Sequence, residues 1–68
     1  MDIRRRVGLN IKQLREGQGI SQEELADRAG VHRTYVSGVE RAVRNPTITV
    51  LAKIAIGLGV RIADIVAD

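Results

Sequence analysis

The 68-residue chain has room for one domain, residues 1–68, and it contains no cysteine, so disulfides are excluded. A single histidine without thiolate partners argues against a zinc site, and no run of about 18 apolar residues indicates a membrane span. Eleven basic against eight acidic residues give a formal net charge of +3, which permits an anionic partner, and the bias toward arginine favours nucleic acid. We therefore expect a soluble, cytoplasmic protein.

Glycine and proline divide the sequence into short helical segments. The first is predicted over about 3–16, because Val7, Ile11 and Leu14 recur at helical spacing and Gly17 follows.

The second predicted helix follows Ser21 and ends at Gly30. Ser21 and Glu24 have the spacing of a capping box, in which the serine accepts a bond from the helix start and the glutamate returns one. A third helix is predicted over about 33–41, with His32 as its N-cap. Two short helices joined by a tight turn are typical of a helix-turn-helix, whose second helix enters the major groove.

Two further helices are predicted beyond the break at Asn45-Pro46. Thr47 caps the fourth, whose expected apolar face consists of Ile48, Leu51, Ile54, Ala55 and Leu58. Gly59 ends it, and a short fifth helix is suggested by Ile62, Ile65 and Val66. Because no alternating strand pattern is present, the sequence predicts a compact all-α fold of five helices.

The third helix separates into two faces at about 100° per residue. Val36 and Val39 point to the core, with Tyr35 at the border. The outer face carries polar or small residues, namely Arg33, Thr34, Ser37, Gly38 and Arg41. Arginine can bond guanine through two hydrogen bonds, and threonine offers a hydroxyl and a methyl group. Gly38 would suit close approach to DNA, or it is simply tolerated there.

Several motifs match one family of regulators over about residues 7–66. They are SQEELA at 21–26, Gly30-Val31, RTYVS at 33–37, RNPT at 44–47 and Leu58-Gly59-Val60. With them the chain resembles the phage-repressor (Cro/C1, XRE-type) helix-turn-helix family, which implies a five-helix, lambda-repressor-like domain. Within that family, RTYVSGVER at 33–41 most resembles the controller proteins of restriction–modification systems. Those are small dimeric regulators that bind operators upstream of their own gene and of the endonuclease gene.

The resemblance also implies roles for single residues. Bases would be read by Arg33 and Thr34, with Ser37 close to them and Arg41 on the same face. Phosphates would be held by Gln22, Tyr35, Arg44 and Asn45. Arg15 and Glu40 match a pair that forms a buried salt bridge between the first and third helices.

Ile56 departs from the family, which usually has a polar residue there. Ile62 and Val66 either fold back onto the core or contribute to a homodimer interface with Ile56 and Leu58, to which Leu9 could add.

Three classes of function remain open at this point. The first is a transcriptional regulator that binds double-stranded DNA as a homodimer at a pseudo-palindromic operator. The second is an antitoxin-like or adaptor protein whose main partner is another protein. An enzyme is poorly supported, because no nucleotide-binding loop or metal cluster is evident and His32 is expected to be a helix cap. We expect no cofactor, no metal and no small-molecule ligand.

Overall fold

The computed structural model describes residues 2–68, so Met1 of the expected 1–68 domain lies outside the described residues. The helices are α1 (Ile3–Gly17), α2 (Gln22–Ala29), α3 (Arg33–Glu40), α4 (Ile48–Leu58) and α5 (Ile62–Val66). No strand occurs in the described part of the chain, and the predicted all-α fold is confirmed. The ends of α1 and α3 each differ from the predicted end by one residue.

The predicted caps hold the helix starts. Ser21 Oγ accepts the Glu24 amide at 3.0 Å, and Thr47 Oγ1 accepts the Val50 amide at 3.2 Å. The expected capping box at Ser21 is formed on one side only. The Glu24 carboxylate accepts a hydrogen bond from Arg28 Nε at 3.0 Å instead, because a cation one turn along the helix offers a charge-assisted bond.

The core receives one fully buried side chain from every helix. These side chains are Ile11, Leu25, Val36, Ile54 and Ile65, each with 0% exposure. α4 packs mainly on α2, while α1 packs on both α3 and α5. The buried stripe of α3 is thereby directed to the interior, and its polar face is left toward solvent.

The backbones of α1 and α3 approach closely at Gly8. A Cβ atom on this residue would lie 2.5 Å from the carbonyl oxygen of Val39 and 2.7 Å from that of Glu40. Because these neighbours are backbone atoms, they cannot move aside without shifting α3. Gly8 therefore sets the distance of α3 from the rest of the fold.

Two expectations for α4 are wrong. Ile48, expected on its apolar face, is 67% exposed, because the buried side chains of α4 begin only at Leu51. Leu58, expected at a dimer interface, is 4% exposed and belongs to the core. It lies on the side of α4 that faces the other helices, so it offers almost no surface to a partner.

Candidate nucleic-acid interface

A shallow polar depression lies on the outer side of α3. It is lined by the predicted DNA-binding residues Gln22, Arg33, Thr34, Ser37 and Arg41. Ser37 and Gln22 are half-buried, while the other three residues are exposed. The fold thus collects on one surface the donors and acceptors that the sequence distributes over α2 and α3.

Three arginines around α3 carry unneutralised charge. Among residues 2–68, no carboxylate lies within ion-pair distance of Arg33, Arg41 or Arg44. Elsewhere in the same part of the chain, Arg28 pairs with Glu24 and Arg4 pairs with Asp2. The guanidinium groups beside α3 are therefore free to bind an external anion.

Arg44 lies across the surface of α3 rather than extending into solvent. Its guanidinium carbon is 5.4 Å from the centroid of the Tyr35 ring, within the range of a cation–π interaction. Its Cγ and Cδ atoms lie 2.8 Å from the position that a Cβ on Gly38 would occupy. Gly38 is accordingly buried under Arg44, which corrects its expected place on the outer face. The missing side chain makes room for Arg44.

Glu40 joins three elements beneath this surface. Its Oε2 accepts a hydrogen bond from Arg15 Nε at 2.7 Å, and its Oε1 accepts one from Arg15 Nη2 at 3.1 Å. The Glu40 side chain is 3% exposed and that of Arg15 is 11% exposed, so this pair of α1 and α3 is buried. The hydrogen bonds to Glu40 raise the pKa of the Arg15 guanidinium above its ordinary value.

Gln22 is the third group in this cluster. Its Nε2 donates to Glu40 Oε1 at 3.0 Å, a bond that the sequence did not predict. Because a glutamine amide has two N–H donors, one of them remains for a phosphate. The cluster of Arg15, Gln22 and Glu40 thus fixes the start of α2 relative to the end of α3.

Asn45 does not line this depression. It lines a separate depression together with Pro46, Ile3, Leu51 and Val66, to which α3 contributes nothing. Asn45 is exposed, but it lies beside the start of α1 rather than beside Thr34.

The aliphatic residues expected at a dimer interface have different environments. Ile56 is 76% exposed, whereas Ile62 and Val66 are half-buried and pack against the core. Leu9 is 45% exposed but lies beside Arg41 and Ala42 at the end of α3, away from this group. Of the candidates, Ile56 is therefore the one whose side chain is mostly available to a partner.

Sequence reasoning missed the structural roles of two glycines. Gly8 and Gly38 both lie inside helices, where glycine costs about 1 kcal/mol relative to alanine. That cost is the signal that could have found them, since it indicates a close neighbour at each position. Which neighbour it is depends on the tertiary arrangement.

None of the helices in the described residues is long and apolar enough to cross a bilayer. In residues 2–68 no group of acidic and histidine side chains is arranged to hold a metal ion. The site has the composition of an anion-binding surface rather than of a metal centre.

The arrangement of α2, the turn at Gly30 and α3 defines a helix-turn-helix DNA-binding protein. A family model described as helix-turn-helix matches residues 11–65, and the chain belongs to this family of transcriptional regulators, which bind double-stranded DNA. It is 42% identical over 66 residues to y4dJ of Sinorhizobium fredii, an uncharacterized HTH-type transcriptional regulator, with 97% of this chain and 86% of that protein covered.

Two solved structures of restriction–modification controller proteins are similar over most of the chain. C.AhdI from Aeromonas hydrophila matches with a TM-score of 0.89 and 35% identity, covering 91% of this chain and 94% of that one. The C.Esp1396I tetramer, determined in complex with its natural 35 base-pair operator, matches with a TM-score of 0.86 and 41% identity, covering 90% and 80%. The resemblance expected from the 33–41 motif is confirmed.

Proposed function

We propose that residues 1–68 act as one DNA-binding domain that forms a homodimer on a pseudo-palindromic operator, with α3 of each subunit in a major groove. The observation that carries this proposal is the set of three unpaired arginines around the capped, polar face of α3. The chain would act as a gene regulator in the cytoplasm, without catalysis.

The roles of the side chains follow from where they lie. Arg33 and Thr34 occupy the first turn of α3, the part of a recognition helix that contacts base edges, and Ser37 and Arg41 continue the same face. Gln22, Tyr35 and Arg44 surround that face and would hold phosphates, which sets the register of the helix on the duplex. Asn45, in the loop before α4 and beside the start of α1, would hold a phosphate farther along the backbone.

A homodimer is supported by size and by surface. Successive major grooves on one side of a duplex are about 34–36 Å apart. One subunit has a longest dimension of 28 Å and a single α3, so two copies are needed to occupy two grooves. The apolar surface for the contact between subunits would come from the exposed Ile56 and the half-buried Ile62 and Val66.

The similarity to C.AhdI and C.Esp1396I supports a narrower proposal, that the chain is the controller of a restriction–modification system. A site recovered in vitro would then recur upstream of the chain's own gene and of an endonuclease gene. Its absence from both positions would leave a helix-turn-helix regulator of other genes.

Selection from a pool of random duplexes at physiological salt tests the function directly. We expect a palindromic consensus with half-sites one helical turn apart. Recovery of no consensus, with binding that disappears as salt rises, would leave only counterion-driven affinity. The alternative of a protein partner, as in an antitoxin, would then take precedence.

Arg33→Ala tests the assignment of the base contacts. We expect it to weaken operator binding by about 1–3 kcal/mol and to relax preference at one base position. Lys53→Ala removes the same charge from an exposed position on α4 and serves as the control, because base preference should not change. An unaltered consensus for Arg33→Ala would show that this residue contacts only phosphate.

A further inference from the structure

His32 makes two contacts with the same neighbouring residue at the start of α3. Its Nδ1 accepts the backbone amide of Thr34 at 3.2 Å, which is the N-cap bond of the helix. The same Nδ1 lies 2.9 Å from Thr34 Oγ1. The expected N-cap thus also holds the side chain of a proposed base-reading residue.

These two contacts determine where the hydroxyl proton lies. A neutral imidazole has one nitrogen that donates and one that accepts. In the tautomer that fits the bond from the Thr34 amide, Nδ1 accepts and the ring proton lies on Nε2. The short contact to Thr34 Oγ1 is therefore a hydrogen bond that the hydroxyl donates. A threonine hydroxyl has only one proton, so its outward side presents lone pairs and a methyl group.

We propose that His32 is a positioning residue that makes the Thr34 hydroxyl a hydrogen-bond acceptor toward DNA. Thr34 would then favour a base that presents an amino group in the major groove, adenine N6 or cytosine N4, over the keto oxygens of guanine and thymine. This inference rests on the proposed function, in which the exposed first turn of α3 faces base edges.

Histidine is not among the residues usually found at an N-cap. Serine, threonine, aspartate and asparagine are the preferred N-caps. An aspartate would place a negative charge beside Arg33, on the surface proposed to face DNA. The imidazole caps the helix without a negative charge, and its planar ring directs one lone pair at both donors of Thr34.

The test compares His32→Ala, His32→Asn and Thr34→Val. Asparagine Oδ1 is separated from Cα by the same number of bonds as histidine Nδ1, so it can accept both protons of Thr34. Valine keeps the shape of threonine without its hydroxyl. Each protein is titrated with the selected operator and with duplexes in which every half-site position is changed in turn. The measured quantity is the ratio of dissociation constants for two duplexes, in which the folded fraction of each variant cancels.

We expect one position at which wild-type protein prefers an amino-bearing base by roughly two- to tenfold, the range of a single hydrogen bond. Thr34→Val and His32→Ala should both lose this preference while keeping the preference assigned to Arg33, and His32→Asn should retain it. Replacing adenine by purine, or cytosine by 2-pyrimidinone, deletes the amino group alone. That deletion should weaken the wild-type protein and leave Thr34→Val unaffected.

Asp2→Ala is the control for loss of a helix cap, because Asp2 caps α1 through the Arg4 amide at 2.8 Å. It should leave every ratio unchanged. The inference is overturned if His32→Ala discriminates as the wild type does, if His32→Asn fails to restore discrimination, or if the position prefers a keto base. A wild-type protein that selects no consensus would instead overturn the proposed function, and the inference with it.

Discussion

The outward faces of α3 and α4 differ in chemistry although both helices pack on the same core. α3 exposes Arg33 and Thr34, and Arg41 follows at its C-cap. α4 exposes Ile48 and Ile56, which are 67% and 76% accessible, beside Thr49 and Lys53. The first surface suits an anionic partner, whereas the two isoleucines of the second suit an apolar contact.

The two surfaces are also supported differently. The face of α3 rests on the buried carboxylate of Glu40, which orients Gln22 and holds α1 through Arg15. No hydrogen bond in the described residues involves the side chain of Ile56, and its position is set only by the α4 backbone. The polar surface therefore depends on interior charge, and substitutions should affect the two faces unequally.

The largest expected effect is loss of the charge beneath α3. Glu40→Gln keeps the volume but removes the charge that pairs with buried Arg15, and breaking such a pair typically costs about 3 kcal/mol or more. This is a large part of the stability of so small a protein. The free energy of unfolding in urea measures it.

Glu24→Gln is the matched control, because it breaks the exposed pair with Arg28 on α2. Its cost should be no more than about 0.5 kcal/mol. Equal losses for the two variants would mean that the buried pair contributes no more than a surface pair, and that α3 is held by packing alone.

Alanine substitutions at Gly8 and Gly38 distinguish a glycine needed for the stability of the fold from one needed for the DNA-binding surface. Gly8→Ala places a methyl group against two backbone carbonyls, and we expect it to destabilise the fold by about 1–3 kcal/mol. At Gly38, the three atoms nearest to an added Cβ all belong to the flexible Arg44 side chain. The stability of Gly38→Ala should stay unchanged or rise by up to about 1 kcal/mol, since alanine favours a helix.

Of the two glycine variants, only Gly38→Ala should lose DNA binding without losing stability. Gly38→Ala displaces Arg44 from Tyr35, so operator affinity should fall although thermal stability does not. Gly8→Ala should lose affinity together with stability, because its Cβ can be accommodated only if α3 shifts. If Gly38→Ala bound the operator with unaltered affinity, the position of Arg44 over Gly38 would not be needed for binding.

The difference between these glycines also shows what the sequence could predict. Helix starts at Ser21, His32 and Thr47 were predictable because caps act over three residues. The buried stripe of Val36 and Val39 followed from periodicity. Both are local properties.

Features that depend on contacts between distant parts of the chain could not be predicted from periodicity. Periodicity placed Gly38 on a face but could not show that Arg44, in the following loop, turns back over it. Likewise it gave Leu58 and Ile56 as aliphatic residues of α4 without showing which of them the other helices cover. The buried pair of Arg15 and Glu40 was expected only from the family resemblance, because the partners lie 25 residues apart.

The smallest expected effect on the fold, and the sharpest test of the α4 surface, comes from Ile56→Lys. Because Ile56 is 76% exposed, the stability of the monomer should change by no more than about 0.5 kcal/mol. A lysine there would bring two like charges into a two-fold contact and desolvate them, so the proposed dimer should dissociate. Sedimentation velocity measures the change in assembly. Binding to a duplex with one half-site should persist, while cooperative occupation of two half-sites is lost.

Ile48→Lys adds the same charge at a comparably exposed position on α4 and should leave the dimer intact. If Ile48→Lys alone disrupts assembly, the contact lies at the start of α4. If neither does, this apolar face does not join two copies of the chain and is left for a different protein partner.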